Sequence, residues 1–149
     1  DSDFTRLATR LRESGMLVIG IGERKTPNPF IVACDKFIYI EIIGTKVIRK
    51  TTETSTAKTQ EEAVKIDSID NKLIQLLKSS IEDIADYNGW AFLAEVGALI
   101  IKKKPDFDPR NYGFSKLTPL IKSMDDIFDV DEREVEKTRI KHIYVRIKK

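Results

Sequence analysis

Histidine, cysteine and tryptophan each occur once in the 149 residues, and that scarcity excludes whole classes of chemistry. With His142 alone, no Ser/His/Asp or Cys/His catalytic set can be assembled, and no zinc site of the usual ligand count. With Cys34 alone, no internal disulfide forms, as expected of a chain that works in a reducing cytoplasm. No apolar run approaches the roughly 20 residues of a membrane-spanning helix. The acidic, amphipathic start lacks the form of a signal peptide. Charge of one sign is also lacking. A net charge of +2 gives no global attraction for nucleic acid, so any such binding must come from local segregation of charge. These absences together predict a soluble, cytoplasmic protein without membrane contact.

What is present is a chain 41% hydrophobic and 34% charged, enough for a packed core beneath a solvated surface. Phe4, Leu7, Ala8 and Leu11 recur at helical spacing. Asp3 stands at the N-terminus of that helix and Gly15 at its C-terminus. "MLVIGIG" (16–22) reads as a strand buried on both faces. "ERKTPNPF" is a loop that feeds a short helix from Pro29 to Cys34, and "KFIYIEII" (36–43) is a second strand. This order is that of an α/β sheet, yet two strands do not make a sheet that stands alone. Residues 1–43 therefore read as the C-terminal part of a larger α/β domain. An open strand edge there predicts self-association.

Residues 44–66 are rich in Thr, Lys and Glu, lose periodicity, and read as a linker. From residue 67 the helical pattern returns. Ile69, Leu73, Leu76, Leu77, Ile81 and Ile84 form one stripe, ended near Asn88 and Gly89. A second helix spans 91–104 and stops at Pro105; a third spans 114–124 with Pro119 inside it. Pro119 forfeits a hydrogen bond there unless it lies near the first turn. Segments 127–130 and 139–147 read as strands, the latter alternating Ile140, His142, Tyr144 and Arg146 with Lys141, Ile143, Val145 and Ile147. Three helices and a terminal hairpin make a winged helix-turn-helix over 67–149. The fold class is α+β overall: an incomplete α/β segment followed by a winged helix.

Three features invite a chemical reading. The pair Asp1 and Asp3 in "DSDF" suits either a helix N-terminus or a divalent-metal site. On the motif alone, capping is the stronger reading. "GIGERK" lacks the third glycine and the immediate helix of a dinucleotide fingerprint, and Arg24 and Lys25 read as a solvated loop. Trp90, after Gly89, reads as a core anchor between the first two helices.

"DSDFTRLATRLRESGMLVIGIGERKTPNPFIVACDKFIYIE" resembles the C-terminal portion of an NYN domain, of the PIN-like, LabA-like ribonucleases. The carrying elements are "DSDF", "LRESG", "GIGERKTPNPF" and "CDKFIY", in that order. The resemblance implies a Mg2+- or Mn2+-dependent ribonuclease site with Asp1 and Asp3 as catalytic and metal-binding carboxylates and Asp35 as a weaker third ligand. It also implies an earlier strand with its own aspartate, upstream of residue 1. A fragment without that strand is expected to cleave RNA negligibly.

Residues 69–149 resemble the OST-HTH, or LOTUS, domain, a winged helix often found C-terminal to NYN domains in bacteria. "GWAFLAEVG", "FDPRNYGFSKL" and "IYVRI" carry that resemblance. It implies RNA binding, or in some animal members binding of a protein partner. Residues 66–149 hold fifteen basic and fifteen acidic side chains, unevenly spread. "DDIFDVDEREVE" (125–136) is acidic, and "KTRIKHIYVRIKK" (137–149) holds six Lys and Arg and no acid. Lys102, Lys103, Lys104, Arg110, Lys116, Arg146 and Lys148 are the candidate phosphate contacts, and Tyr112 the candidate exposed stacking platform. Phe114 reads as core. The alternatives are a winged helix that docks a protein partner, and a DNA-binding regulator. The second is disfavoured because the third helix offers only Lys116 and Lys122 as basic residues.

Overall fold

The computed structural model describes residues 2–43, 66–134 and 140–149. The expected linker over 44–66 lies almost wholly outside the described residues, as do Asp1, Lys137 and Arg139. Within 2–43, helix α1 (Ser2–Glu13) leads through a turn to strand β1 (Ile19–Gly22). Gly15, at φ 78°, ends the helix: its N–H donates to the Arg12 carbonyl and the Met16 N–H donates to that of Leu11. Those two bonds satisfy carbonyls that a helix end leaves free, and the backbone angle requires glycine. Helix α2 (Asn28–Ala33) and strand β2 (Lys36–Tyr39) follow, with β2 parallel to β1 in the register Ile19–Lys36 through Gly22–Tyr39.

Only one face of β1 is covered. Gly20 lets the strand approach Cys34 and Phe37 so closely that an added Cβ would lie 2.7 Å from each. Ile19 and Ile21, on the other face, are more than half exposed at 51% and 58%. The expectation of two-sided burial for 16–22 is thus corrected: the continuous apolar run serves one packed face and one open face. On α1, Ala8 is buried while Phe4 and Leu7 are exposed. The small core of this segment gathers Ala8, Ile31, Ala33, Cys34, Phe37, Tyr39 and Ile42.

The C-terminal region is a winged helix. Helix α3 (Asn71–Ile84) is capped by Asp70, whose carboxylate accepts the Leu73 N–H at 2.9 Å. A turn leads to the two-residue strand β3 (Ala91–Phe92), which the sequence reading assigned to the second helix, and then to α4 (Leu93–Lys103). A 3-10 turn, Pro109–Tyr112, precedes α5 (Leu117–Lys122). Pro119 is the third residue of α5, in its first turn, where its missing N–H would have had no helical partner. Strands β4 (Phe128–Glu134) and β5 (Lys141–Ile147) pair antiparallel, giving the sheet order β3-β5-β4. The core packs Leu73, Leu77 and Ile81 of α3 against Val96 and Ile100 of α4, Leu120 and Ile121 of α5, and Phe128 and Val145 of the sheet.

Polar contacts tie the two regions together. The Phe37 N–H, on the edge of β2, donates to the Pro105 carbonyl at 2.8 Å. The Tyr39 hydroxyl donates to Asp106 at 2.6 Å, and Arg24 bonds both carboxylate oxygens of Asp67 while lying over the Tyr39 ring. Burial first, then the Asp106 carboxylate, raises the Tyr39 phenol above its ordinary value, so it stays a donor.

Candidate nucleic-acid interface

Of the carboxylates expected to hold a metal, Asp3 and Asp35 lie by opposite ends of α1, and Asp1 lies outside the described residues. Asp3 lies exposed in the first turn of α1. Asp35 lies before β2, where it accepts the Val18 N–H at 2.8 Å and pairs with Arg12 at 3.1 Å. Arg12, the partner of Asp35, is nine residues along α1 from Asp3, so helix rise sets those two α-carbons about 13 Å apart and Asp35 sits beside the opposite end of the helix. Asp35 also already neutralises a guanidinium and fixes the entry to β1, a structural task. Among the described residues no three His, Cys, Asp or Glu side chains gather as a metal site. Asp3 and Asp35 by themselves do not make a Mg2+ or Mn2+ site, and Asp1 lies outside the described residues.

The expected phosphate contacts fall into separate places. Lys103 and Lys104 line a depression between α3 and the end of α4, together with Lys72, Tyr112, Asp67 and Asp70. Tyr112 is half-buried there, its ring 6.1 Å from Phe107 and packed on the core, so it is no open platform. Burial first, then the Asp67, Asp70 and Asp106 charges, pushes its phenol up to about 12. Phe114 also packs on the core. Arg146 and Lys148 line a different hollow, with Asp86, Gly89 and Lys149.

Many of these cations are already engaged. Lys103 bonds Asp83 at 2.7 Å, and Arg110 makes two bonds to Asp108. Arg146 and Lys148 share Asp129, at 2.9 and 3.6 Å. The last pairings follow from the hairpin. Antiparallel register lays the acidic strand β4 directly against the basic strand β5, so the charge segregation along the sequence is cancelled across the sheet. Lys102, Lys104 and Lys116 have no ion-pair partner among the described residues.

Asp108 anchors the loop between α4 and α5. Its carboxylate accepts the Arg110 N–H at 2.9 Å, capping the 3-10 turn, and burial alone would push it up. The Arg110 side chain and backbone, with the Lys36 charge nearby, outweigh burial and hold it below the usual carboxylate value. A carboxyl held below its unfolded-state value contributes stability that is present above that value and is lost as pH falls through the folded one. Asp108→Asn is therefore expected to flatten the loss of stability below about pH 4, read from urea midpoints across an acid series. An unchanged acid limb would show that Asp108 is not its source.

The residue set missed in sequence lies on the outer face of the β3-β5-β4 sheet. Asp86 accepts the N–H groups of Asn88 and Trp90, and Gly89 at φ 82° completes the turn. The turn delivers Trp90 to the sheet surface, half-buried and outside the core cluster; it is not the anchor between helices that its position suggested. The Arg146 guanidinium lies over the Trp90 ring at 4.6 Å. The alternation in 139–147 carried the signal: Val145 is buried and Ile143 and Ile147 pack on the core, so His142, Tyr144 and Arg146 must face outward.

An OST-HTH/LOTUS domain matches residues 65–140, and an NYN domain matches residues 1–41. A solution NMR structure of an uncharacterized protein of Nitrosomonas europaea is 32% identical, covering 67% of this chain and 90% of that one, with a TM-score of 0.47. No curated protein matches the chain. No described helix is long and apolar enough to cross a membrane. OST-HTH/LOTUS domains bind RNA. With its winged helix matched over half of its length, the chain belongs to the OST-HTH/LOTUS family, and it carries an NYN segment in front of that domain.

Proposed function

We propose that this protein acts on RNA, its OST-HTH/LOTUS domain holding the RNA and its NYN segment serving a metal-dependent ribonuclease domain. The observation that carries the reading is the pairing of two RNA-directed domains in one chain. The contacts of Arg24 and Tyr39 support it, because they hold the C-terminal ends of β1 and β2 against the winged helix. Ligands of α/β sheets bind at those strand ends. In this reading Asp1 and Asp3 belong to the nuclease centre and Asp35 does not.

The test is a titration of labelled single-stranded, hairpin and G-rich RNA with the whole chain at several salt concentrations. Salt-sensitive binding is expected, because phosphate contacts release counterions. Absence of binding to every species overturns the proposal. A protein-docking reading then leads, favoured by the apolar groove where Ala94, Gly97, Leu117, Thr118 and Ile140 meet. A DNA-reading role has less support: α5 is six residues long and its Lys122 is paired with Glu132.

A further inference from the structure

Six flat side chains form one continuous run across the outer face of the sheet. His142 lies 5.0 Å from Phe92, and Phe92 lies 5.6 Å from Tyr144, centroid to centroid. The Arg133 guanidinium covers Tyr144 at 4.1 Å and reaches to 5.6 Å from Trp90. Arg146 lies over Trp90 at 4.6 Å. Register explains the alignment, since Phe92 pairs with Tyr144, His142 with Arg133, and Arg146 with Asp129. None of these rings belongs to the core cluster, so folding alone does not account for three aromatic side chains on a solvent-facing sheet surface.

From this run we infer that the outer face of the β3-β5-β4 sheet is a base-stacking surface for single-stranded RNA, an inference that rests on the RNA-binding reading above. A guanidinium stacked on a ring uses one face of its plane. The Arg133 and Arg146 side chains are 45% and 41% exposed, which leaves accessible surface for an open face. A nucleobase that stacks on that open face extends the column from ring to guanidinium to base, and every base has a π-face to offer. Asp131 and Asp129 accept hydrogen bonds from the guanidinium N–H groups at 2.8 and 2.9 Å, which restrains both side chains through their edges.

Charge and family choose the occupant. Arg133, Arg146 and Lys148 are balanced by Asp86, Asp129 and Asp131, so the face gives phosphates little net attraction and its selectivity is for flat, electron-rich groups. Rings and guanidinium groups also occur at protein-docking faces, and RNA is the occupant chosen here because OST-HTH/LOTUS domains bind it. The β-strand residues of the run itself are aromatic or charged, and the aliphatic groove at Leu117 and Ile140 adjoins only its Phe92 and His142 end.

Trp90, the single tryptophan, makes the test direct. A mixed-sequence single-stranded oligoribonucleotide is expected to quench its fluorescence, and an abasic oligomer of the same length is not. Tyr144→Ala is expected to weaken binding about fivefold to a hundredfold with the salt slope unchanged, and Tyr144→Phe to restore it. Thermal melts of both variants exclude unfolding as the cause. If the wild type binds RNA but Tyr144→Ala binds equally well, or the abasic oligomer binds and quenches as strongly, the stacking surface is refuted while RNA binding stands. If the wild type binds no RNA, both fall, and a protein occupant takes the face.

Discussion

Phe37→Ala is expected to unfold the NYN segment and leave the winged helix standing. Phe37 is fully buried, with the rings of Phe30 at 6.1 Å and Tyr39 at 5.3 Å and the α-carbons of Gly20 and Gly22 against it. Truncating a buried phenylalanine costs about 3–5 kcal/mol. The core around it has only six other buried residues, too few to absorb such a loss. The winged-helix core shares none of those residues. What the winged helix would lose is the Pro105 hydrogen bond, the Asp106 bond to Tyr39 and the Asp67 pairing with Arg24, which are polar contacts at its margin. Trp90 lies in the winged helix alone and reports its unfolding without interference. Hydrogen exchange should show lost protection across 2–43 while the Trp90 transition moves by a few degrees at most. A Trp90 transition that collapses together with the exchange would make the two cores one cooperative unit, and the proposed boundary at 43 and 67 would have to go.

How much of this architecture was legible depends on the range of the forces involved. Local signals read correctly at Gly15, the left-handed end of α1, and at Pro119, tolerable near a first turn, whereas α3 ends at Ile84, before Asn88 and Gly89. Each is decided within a few residues by backbone sterics. Strand β3 was missed because two residues have no periodicity; it exists only because β5 offers its edge. Trp90 was misplaced for the same reason, since a bulky apolar residue after a turn reads as core until the sheet beside it is known. Asp35 entered as a weaker ligand through the family resemblance, and only the path of α1 shows that it faces Arg12, at the far end of the helix from Asp3. The charge split over 125–149 was real in sequence and cancelled in space by hairpin register.

That cancellation leads to an expected asymmetry among the basic residues. Lys102, Lys104 and Lys116 lack an ion-pair partner among the described residues, whereas Lys103, Arg146 and Lys148 hold Asp83 or Asp129. A phosphate that approaches a paired cation must displace or share with a carboxylate, and its gain is reduced by the repulsion of that acid. An unpaired lysine releases a counterion for each phosphate it meets. Each such contact on a single strand contributes about 0.7 to the slope of log affinity against log salt. Replacing Lys102, Lys104 and Lys116 together by alanine is thus expected to flatten the slope by about 2 and weaken RNA binding on the order of a hundredfold near 0.1 M salt. The same change at Lys103, Arg146 and Lys148 should flatten it by less than half as much, although it removes the same formal charge. Equal slopes for the two triple variants would mean that net charge alone governs binding. A larger effect from the paired set would mean that RNA displaces the carboxylates, with Asp83 and Asp129 holding the cations in position until it does.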